Sequence, residues 1–208
     1  MKNKNMKKLL FLSILSLTIL GLTNNGAIAA DDVTPVSLNV DSVIAISCSS
    51  SVTMNPIVST GQSSLVADAD NQATCNIITN DSDGYQLAWK ASDTDMLSGT
   101  DFIDPYSPGT SDTPENWSVA SGVSEWGARL MTTSTDDNTA TWGTVDNSYS
   151  STSANWLNVR TTDRVIVQRA SETTGSDEII QFGAEIGSAM VQPTGNYTVD
   201  VTFTATTL

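Results

Sequence analysis

The feature that most constrains the fold is a period-two alternation of apolar and polar residues that recurs along the chain. In the cleanest run, residues 197–205, apolar side chains alternate with threonine and aspartate. Similar runs occupy residues 38–48, 85–91, 126–130 and 180–186. Because successive side chains of a strand point to opposite faces, this pattern indicates strands with one face against a core. No stretch after residue 30 shows a convincing helical period.

Turn-forming residues separate the alternating runs, which supports a chain of many short strands. Clear turn signals are Asp83-Gly84, Ser107-Pro108-Gly109, Gly175-Ser176 and Pro193-Thr194-Gly195-Asn196. Less regular strands are predicted near residues 52–58, 73–79, 139–145 and 155–168. Residues 92–124 and 132–155 alternate poorly and are expected to form long, ordered loops or small added strands. Short strands on a Ser/Thr-rich background predict an all-β fold, an antiparallel β-sandwich.

The first 29 residues have the three parts of a secretory signal. Residues 1–8 are basic, residues 9–22 are apolar, and Ala27-Ile28-Ala29 offers small residues for cleavage. The rival interpretation is a membrane anchor, but a 14-residue helix rises about 21 Å against a hydrocarbon core of about 30 Å. We therefore expect residues 1–29 to be removed and residues 30–208 to form a single domain, secreted or held non-covalently at the cell surface, with no membrane span.

The charge of the remaining chain excludes several functions. All 23 acidic residues but only five of the nine basic residues lie beyond residue 29, which leaves a formal charge of −18. Five cations cannot build the basic patch that a nucleic acid requires. The chain has no histidine, so the commonest general base and metal ligand are missing.

The chain has two cysteines, Cys48 and Cys75. In an oxidising compartment, an even count favours one disulfide. It would close a loop of about 28 residues and stabilise the fold by about 3–4 kcal/mol. The alternatives are two buried free thiols or a metal site.

The closing run, residues 192–204, resembles the last strand of secreted bacterial surface β-sandwiches, in which Pro-small-Gly-x-Tyr precedes an alternating Val/Thr ladder. Two families share this pattern: the WxL surface domain, which binds cell wall non-covalently, and the spore-coat-U or fimbrial type of Ig-like sandwich. Tyr85 and Phe203 stand where WxL motifs carry tryptophan. Cys48, Met54-Asn55-Pro56 and Cys75 resemble the cysteine spacing of the second family. The resemblance implies an Ig-like sandwich.

Two groups of residues are candidate ligand sites. Oxygen donors suited to calcium cluster at Asp81 and Asp83 and again at Asp93 and Asp95; the alternative is ordinary polar turns, and no other cofactor is predicted. Aromatic residues lie within the two loop-like regions, where they either stack on a glycan or protein partner or form a satellite core. They are Tyr106, Trp117, Trp142 and Tyr149.

These observations predict a non-enzymatic protein with a structural or adhesion role in the bacterial envelope, whose partner is an envelope component, glycan or protein. Self-association through strand edges is a second mechanism. One alternative is a cell-wall or glycan-binding module that uses the loop aromatics. Another is a secreted glycoside hydrolase that uses two carboxylates.

Overall fold

The computed structural model describes residues 31–63, 71–110, 112–131, 139–143 and 154–208. The predicted signal segment lies outside these residues. The chain divides into two units, Met1–Val40 and Asp41–Leu208. In the first unit, residues 31–40 have no regular secondary structure. No helix in the part of the chain just defined has the length and apolar character needed to cross a membrane.

The second unit is built around a large, curled sheet. Its strands, in spatial order, are β1 (Ile44–Cys48), β3 (Gln72–Thr79), β11 (Thr173–Ile186), β8 (Ser124–Leu130), β6 (Asp101–Pro105) and β5 (Met96–Ser98). The short β2 (Gly61–Gln62) pairs with the end of β11. All pairs are antiparallel except β6 with β8.

A smaller sheet packs against the first. It consists of β10 (Arg164–Arg169), β4 (Tyr85–Ala91) and β12 (Val201–Thr207), with β4 in the middle. A third pair, β7 (Glu115–Asn116) with β9 (Asn155–Trp156), and one helical turn, α1 (Thr139–Trp142), complete the described elements.

The main core lies between the two sheets, and the alternation predicts which residues form it. Every second residue of β4, from Tyr85 to Ala91, is buried. The inward residues of β8 and β11 are buried in the same way, among them Trp126, Ala128, Ile180 and Phe182. The prediction of an all-β, sandwich-like fold is therefore confirmed.

Four predicted strands differ from the structure. In place of the one expected near residues 155–168, the structure has two, β9 and β10. The run 38–48 pairs only from Ile44 onward, because the ladder with β3 begins there. Residues 52–58 form no strand; Val52, Met54 and Ile57 pack on the core, and Pro56 has no N–H to donate. Residues 139–142 form a helical turn, since so short an apolar pattern suits a helix or a strand equally well.

The disulfide prediction is confirmed: Cys48 is bonded to Cys75. The two residues lie directly opposite each other in the ladder of β1 and β3. The bond therefore fastens β1 to β3, the strand with which it pairs in the sheet.

A buried ion pair joins the two sheets. Arg169 of the small sheet donates from Nε and Nη2 to the carboxylate of Glu178 of the large sheet, at 2.9 and 2.8 Å. The Tyr85 hydroxyl donates to the same carboxylate at 2.6 Å. Burial, and next this hydrogen bond, raise the pKa of Tyr85 to about 12. Because Glu178 is fully buried, it remains compatible with the core only through these partners.

Candidate functional site

Two of the predicted ligand-binding aromatics lie in a second, smaller core on the outer face of the large sheet. Tyr106 and Trp117 stack with ring centroids 4.6 Å apart. Trp117 meets Trp156 edge to face at 5.1 Å, and the Arg129 guanidinium lies 5.0 Å from the centre of the Trp156 ring. We call Tyr106, Trp117 and Trp156 the aromatic layer. All three are at most 6% exposed, so none offers a ring face for stacking on a sugar.

The aromatic layer sits closely over β8 because Gly127 carries no side chain. A Cβ atom built there would lie 3.0 Å from Tyr106 Cβ and 2.9 Å from the Leu157 carbonyl oxygen. The Tyr106 hydroxyl donates to the Asn116 carbonyl at 2.6 Å, and burial raises the pKa of Tyr106 to about 12. The layer is thus a satellite core, the structural alternative raised by the sequence.

A third predicted aromatic, Trp142, lies apart from this layer. Trp142 packs edge to face against Trp89 of the main core, with ring centroids 5.7 Å apart, and is 7% exposed. Tyr149 lies outside the described residues. The structure therefore does not bring Tyr106, Trp117 and Trp142 together into one exposed patch.

The four predicted calcium ligands lie at opposite ends of β4. Asp81 and Asp83 are in the turn before it, and Asp93 and Asp95 follow it. The Asp81 carboxylate accepts hydrogen bonds from the Ser42 hydroxyl at 2.8 Å and the Asp83 N–H at 3.0 Å, which lower the pKa of Asp81. Asp93 accepts from the Asp95 N–H at 3.2 Å. Among the residues the structure describes, no three acidic or thiol side chains come together to hold a metal.

A second candidate region, largely apolar, lies beside β12 and next to the segment that follows β1. A cavity of about 310 Å³ opens there, and we call it the β1–β12 groove. Its floor is formed by Trp126 and Phe182 of the large sheet. Its walls include the apolar side chains Val52, Met54, Met96, Val199, Val201 and Phe203, together with the serines at 49–51.

The residues before β12 are held in place by hydrogen bonds. Leu97 and Thr198 exchange backbone bonds at 2.9 and 3.0 Å, and the Ser92 N–H donates to the Asp200 carbonyl at 2.8 Å. The Tyr197 hydroxyl donates to the Pro193 carbonyl at 2.7 Å, closing the turn that leads into this segment. One wall of the groove is thus fixed by the Pro-Thr-Gly-Asn-Tyr sequence that the resemblance singled out.

Both strands beside the groove have an open edge. β1 pairs only with β3, and β12 pairs only with β4, within the described ranges. Alternate side chains of β12, including Val201, Phe203 and Ala205, face the core but remain half-buried. On β1, Ile46 is 37% exposed. Unpaired backbone groups beside exposed apolar side chains are the surface on which another strand can add.

No family model matches the chain, and comparison with curated proteins found no match. The resemblance to WxL or fimbrial-type sandwiches therefore stays a prediction. The groove must be interpreted from its geometry.

Sequence reasoning identified part of this site. The alternation of residues 197–205 predicts that Val201 and Phe203 face the core, and the two cysteines predict the bond that fastens β1. It did not single out Val52 and Met54, which lie in an irregular stretch, as groove residues. The residue pattern of a strand does not indicate whether another strand pairs with each of its two edges.

Proposed function

We propose that this protein is a non-enzymatic, exported component of the cell envelope, structural or adhesive, that assembles with copies of itself by strand addition at the β1–β12 groove. The observation that carries the proposal is the groove itself, an apolar cleft lined by β12 and by the segment that follows β1, two strands that each pair on one side only within the described residues. Backbone hydrogen bonds to the edges would supply affinity, and alternate apolar side chains entering the cleft would supply specificity.

The chain contains a segment suited to this role. Val36, Leu38 and Val40 alternate with polar residues in residues 36–40 and are 93%, 88% and 74% exposed. Such side chains are worth about 1.5–3 kcal/mol each when they are transferred from water into an apolar cleft. The segment from one copy, extended along the groove of another, would bury them and pair the open edges.

Two features support export. The first 29 residues have the composition of a secretory signal. The disulfide Cys48–Cys75 is of the kind that persists in oxidising compartments. A cell-surface subunit that must hold its partners outside the cell also benefits from a covalently fastened edge strand.

A complementation experiment tests the proposal on the exported chain. One variant, V36S/L38S/V40S, loses the apolar segment but keeps the groove. A second, Phe203→Lys, keeps the segment but places a charge in the groove. We expect the wild type to form concentration-dependent oligomers in light scattering, each variant alone to be monomeric, and an equal mixture to form heterodimers that grow no further.

The matched control is V58S/V191S, because these valines are 98% and 87% exposed and are not among the groove residues. It should associate like the wild type. Oligomers that persist in V36S/L38S/V40S, or that are lost equally in the control, would show nonspecific apolar contact and refute the proposal. Circular dichroism and disulfide content establish that each variant is folded.

A further inference from the structure

A second cavity carries an unusual concentration of positive charge. It measures about 420 Å³ and lies beside β10, and we call it the arginine pocket. Its polar lining is Asp112, Thr141, Arg160, Arg164 and Gln168, and its apolar lining includes Trp142, Leu157 and Val165. Two of the five basic residues beyond the signal therefore converge on one cavity of a chain that is otherwise strongly acidic.

Both arginines contact the same carboxylate oxygen. Arg160 Nη1 lies 2.9 Å from Asp112 Oδ1, and Arg164 Nη2 contacts that oxygen as well. Arg164 also donates to the carbonyl and side-chain oxygens of Asn158, each at 3.2 Å. One carboxylate against two guanidinium groups leaves the cluster with a net charge of about +1.

The cluster is partly desolvated. The Arg164 side chain is 8% exposed, and burial, together with the charge of Arg160, lowers the pKa of Arg164. The Arg160 Nε atom is buried and has no hydrogen-bond partner among the residues described. The Arg160 side chain is 37% exposed, so solvent can reach it and the two guanidinium groups keep a capacity for anions that Asp112 does not exhaust.

The backbone at Asp112 is strained. Its φ is +65°, the left-handed region, and in the described part of the chain it is the one non-glycine residue with positive φ. Such conformations cost free energy and persist where the surrounding structure holds them. Here the conformation places the carboxylate against the two arginines while leaving it 54% exposed.

We propose that the arginine pocket binds the carboxylate group of an acidic sugar, and that Asp112 occupies the same anion position when no ligand is bound. The volume lies in the range of small-molecule sites. Val165, which is 46% exposed, and the edge of Trp142 offer apolar contact to a sugar ring. The Thr141 hydroxyl and the Gln168 amide can bond its hydroxyl groups. The pocket would give the envelope protein a glycan ligand independent of the β1–β12 groove.

Opposite effects of two substitutions test the proposal. Calorimetric titration of the full exported chain with glucuronate should give weak binding, with no binding of glucose. Arg160→Gln should weaken the affinity for glucuronate at least tenfold, because it removes one guanidinium. Asp112→Asn should strengthen it several-fold, because it removes the competing charge while asparagine tolerates the left-handed backbone.

The matched control is Lys90→Gln, which removes an exposed positive charge paired with Asp163 outside the pocket. It should leave the affinity unchanged. If Asp112 is only a structural partner of the arginines, Asp112→Asn will weaken binding or leave it unchanged, and the proposal fails. It also fails if glucose binds as well as glucuronate, if an acidic dipeptide binds better, or if glucuronate does not bind the wild type.

Discussion

The aromatic layer and the β1–β12 groove differ in how far their apolar side chains are covered. Over β8, Trp156 and Trp117 are buried on the outer face of the large sheet, and a charged guanidinium packs on one of the rings. At the groove, Val201 and Phe203 point toward the core but remain half-buried, and the strands beside them have no second neighbour in the described residues. The first region contributes stability, whereas the second leaves apolar surface and backbone groups available for a partner.

The largest expected effect is at the aromatic layer. Trp156→Ala should lower the free energy of unfolding by about 4–5 kcal/mol, because it leaves a large cavity among Trp117, Arg129 and β8. Urea denaturation followed by circular dichroism measures this. Trp156→Phe is the matched control, and its free energy of unfolding should fall much less. A cost for Trp156→Ala below that of Phe203→Ala would invert the comparison between the two regions.

Removing the disulfide should have the next largest effect. The double variant C48A/C75A is expected to lose about 3–4 kcal/mol, the value for a loop of about 28 residues. Local unfolding should begin at β1, because without the disulfide this strand is held only by its ladder with β3. Hydrogen exchange should therefore accelerate in Ile44–Cys48 before it accelerates in Ser124–Leu130. Equal acceleration in both strands would indicate that β1 is not a separate opening unit.

A substitution within the groove should lower the free energy of unfolding less than the two changes above, but it should weaken self-association more. Phe203→Ala is expected to lower the free energy of unfolding by about 1–2 kcal/mol, because its side chain is only partly buried. It should also weaken self-association in light scattering. Phe102→Ala is the control: this residue is 49% exposed and does not line the groove, so it should change neither quantity by much. A greater loss of association in the control would contradict the role of the groove.

The smallest effect concerns acidic residues on the outer face of the large sheet. Glu125 pairs in register with Asp104 on one side and Glu185 on the other. Burial raises the pKa of Glu125, and the charges of Asp104 and Glu185 raise it further against a hydrogen bond from the Ser107 backbone. Glu125→Gln should therefore increase stability at neutral pH, by less than about 1 kcal/mol.

The sign follows from proton linkage. A carboxyl group with a raised folded-state pKa contributes stability below its unfolded pKa of about 4.5, and this is lost as pH rises through the folded value. The gain in stability from Glu125→Gln should thus be absent near pH 4 and grow as pH increases. Thermal unfolding at a series of pH values measures it. A constant difference at all pH values would exclude titration of Glu125 as its source.

Most of the fold could be predicted because strands with one buried face show an alternation of apolar and polar residues in the sequence. Leu87, Trp126 and Ile180 are each flanked by residues of the opposite face, and all three are buried as expected. The candidate sites were harder to predict. Tyr106 and Trp117 lie among polar residues typical of exposed loops, yet they bury each other. Asp112 lies 48 and 52 residues before Arg160 and Arg164, and only the fold brings its carboxylate to the two guanidinium groups.

The sequence by itself determined that the chain forms strands, which of their faces meet the core, and that Cys48 and Cys75 can be bonded. Only the tertiary structure decided which strand edges are open and which aromatic residues are covered. The physical reason is that side chains and backbone hydrogen bonds point in different directions in a sheet. Side chains project perpendicular to a sheet, so their alternation records which face is buried. The hydrogen bonds that close an edge lie in the plane of the sheet and are made by a backbone that is nearly the same for every residue.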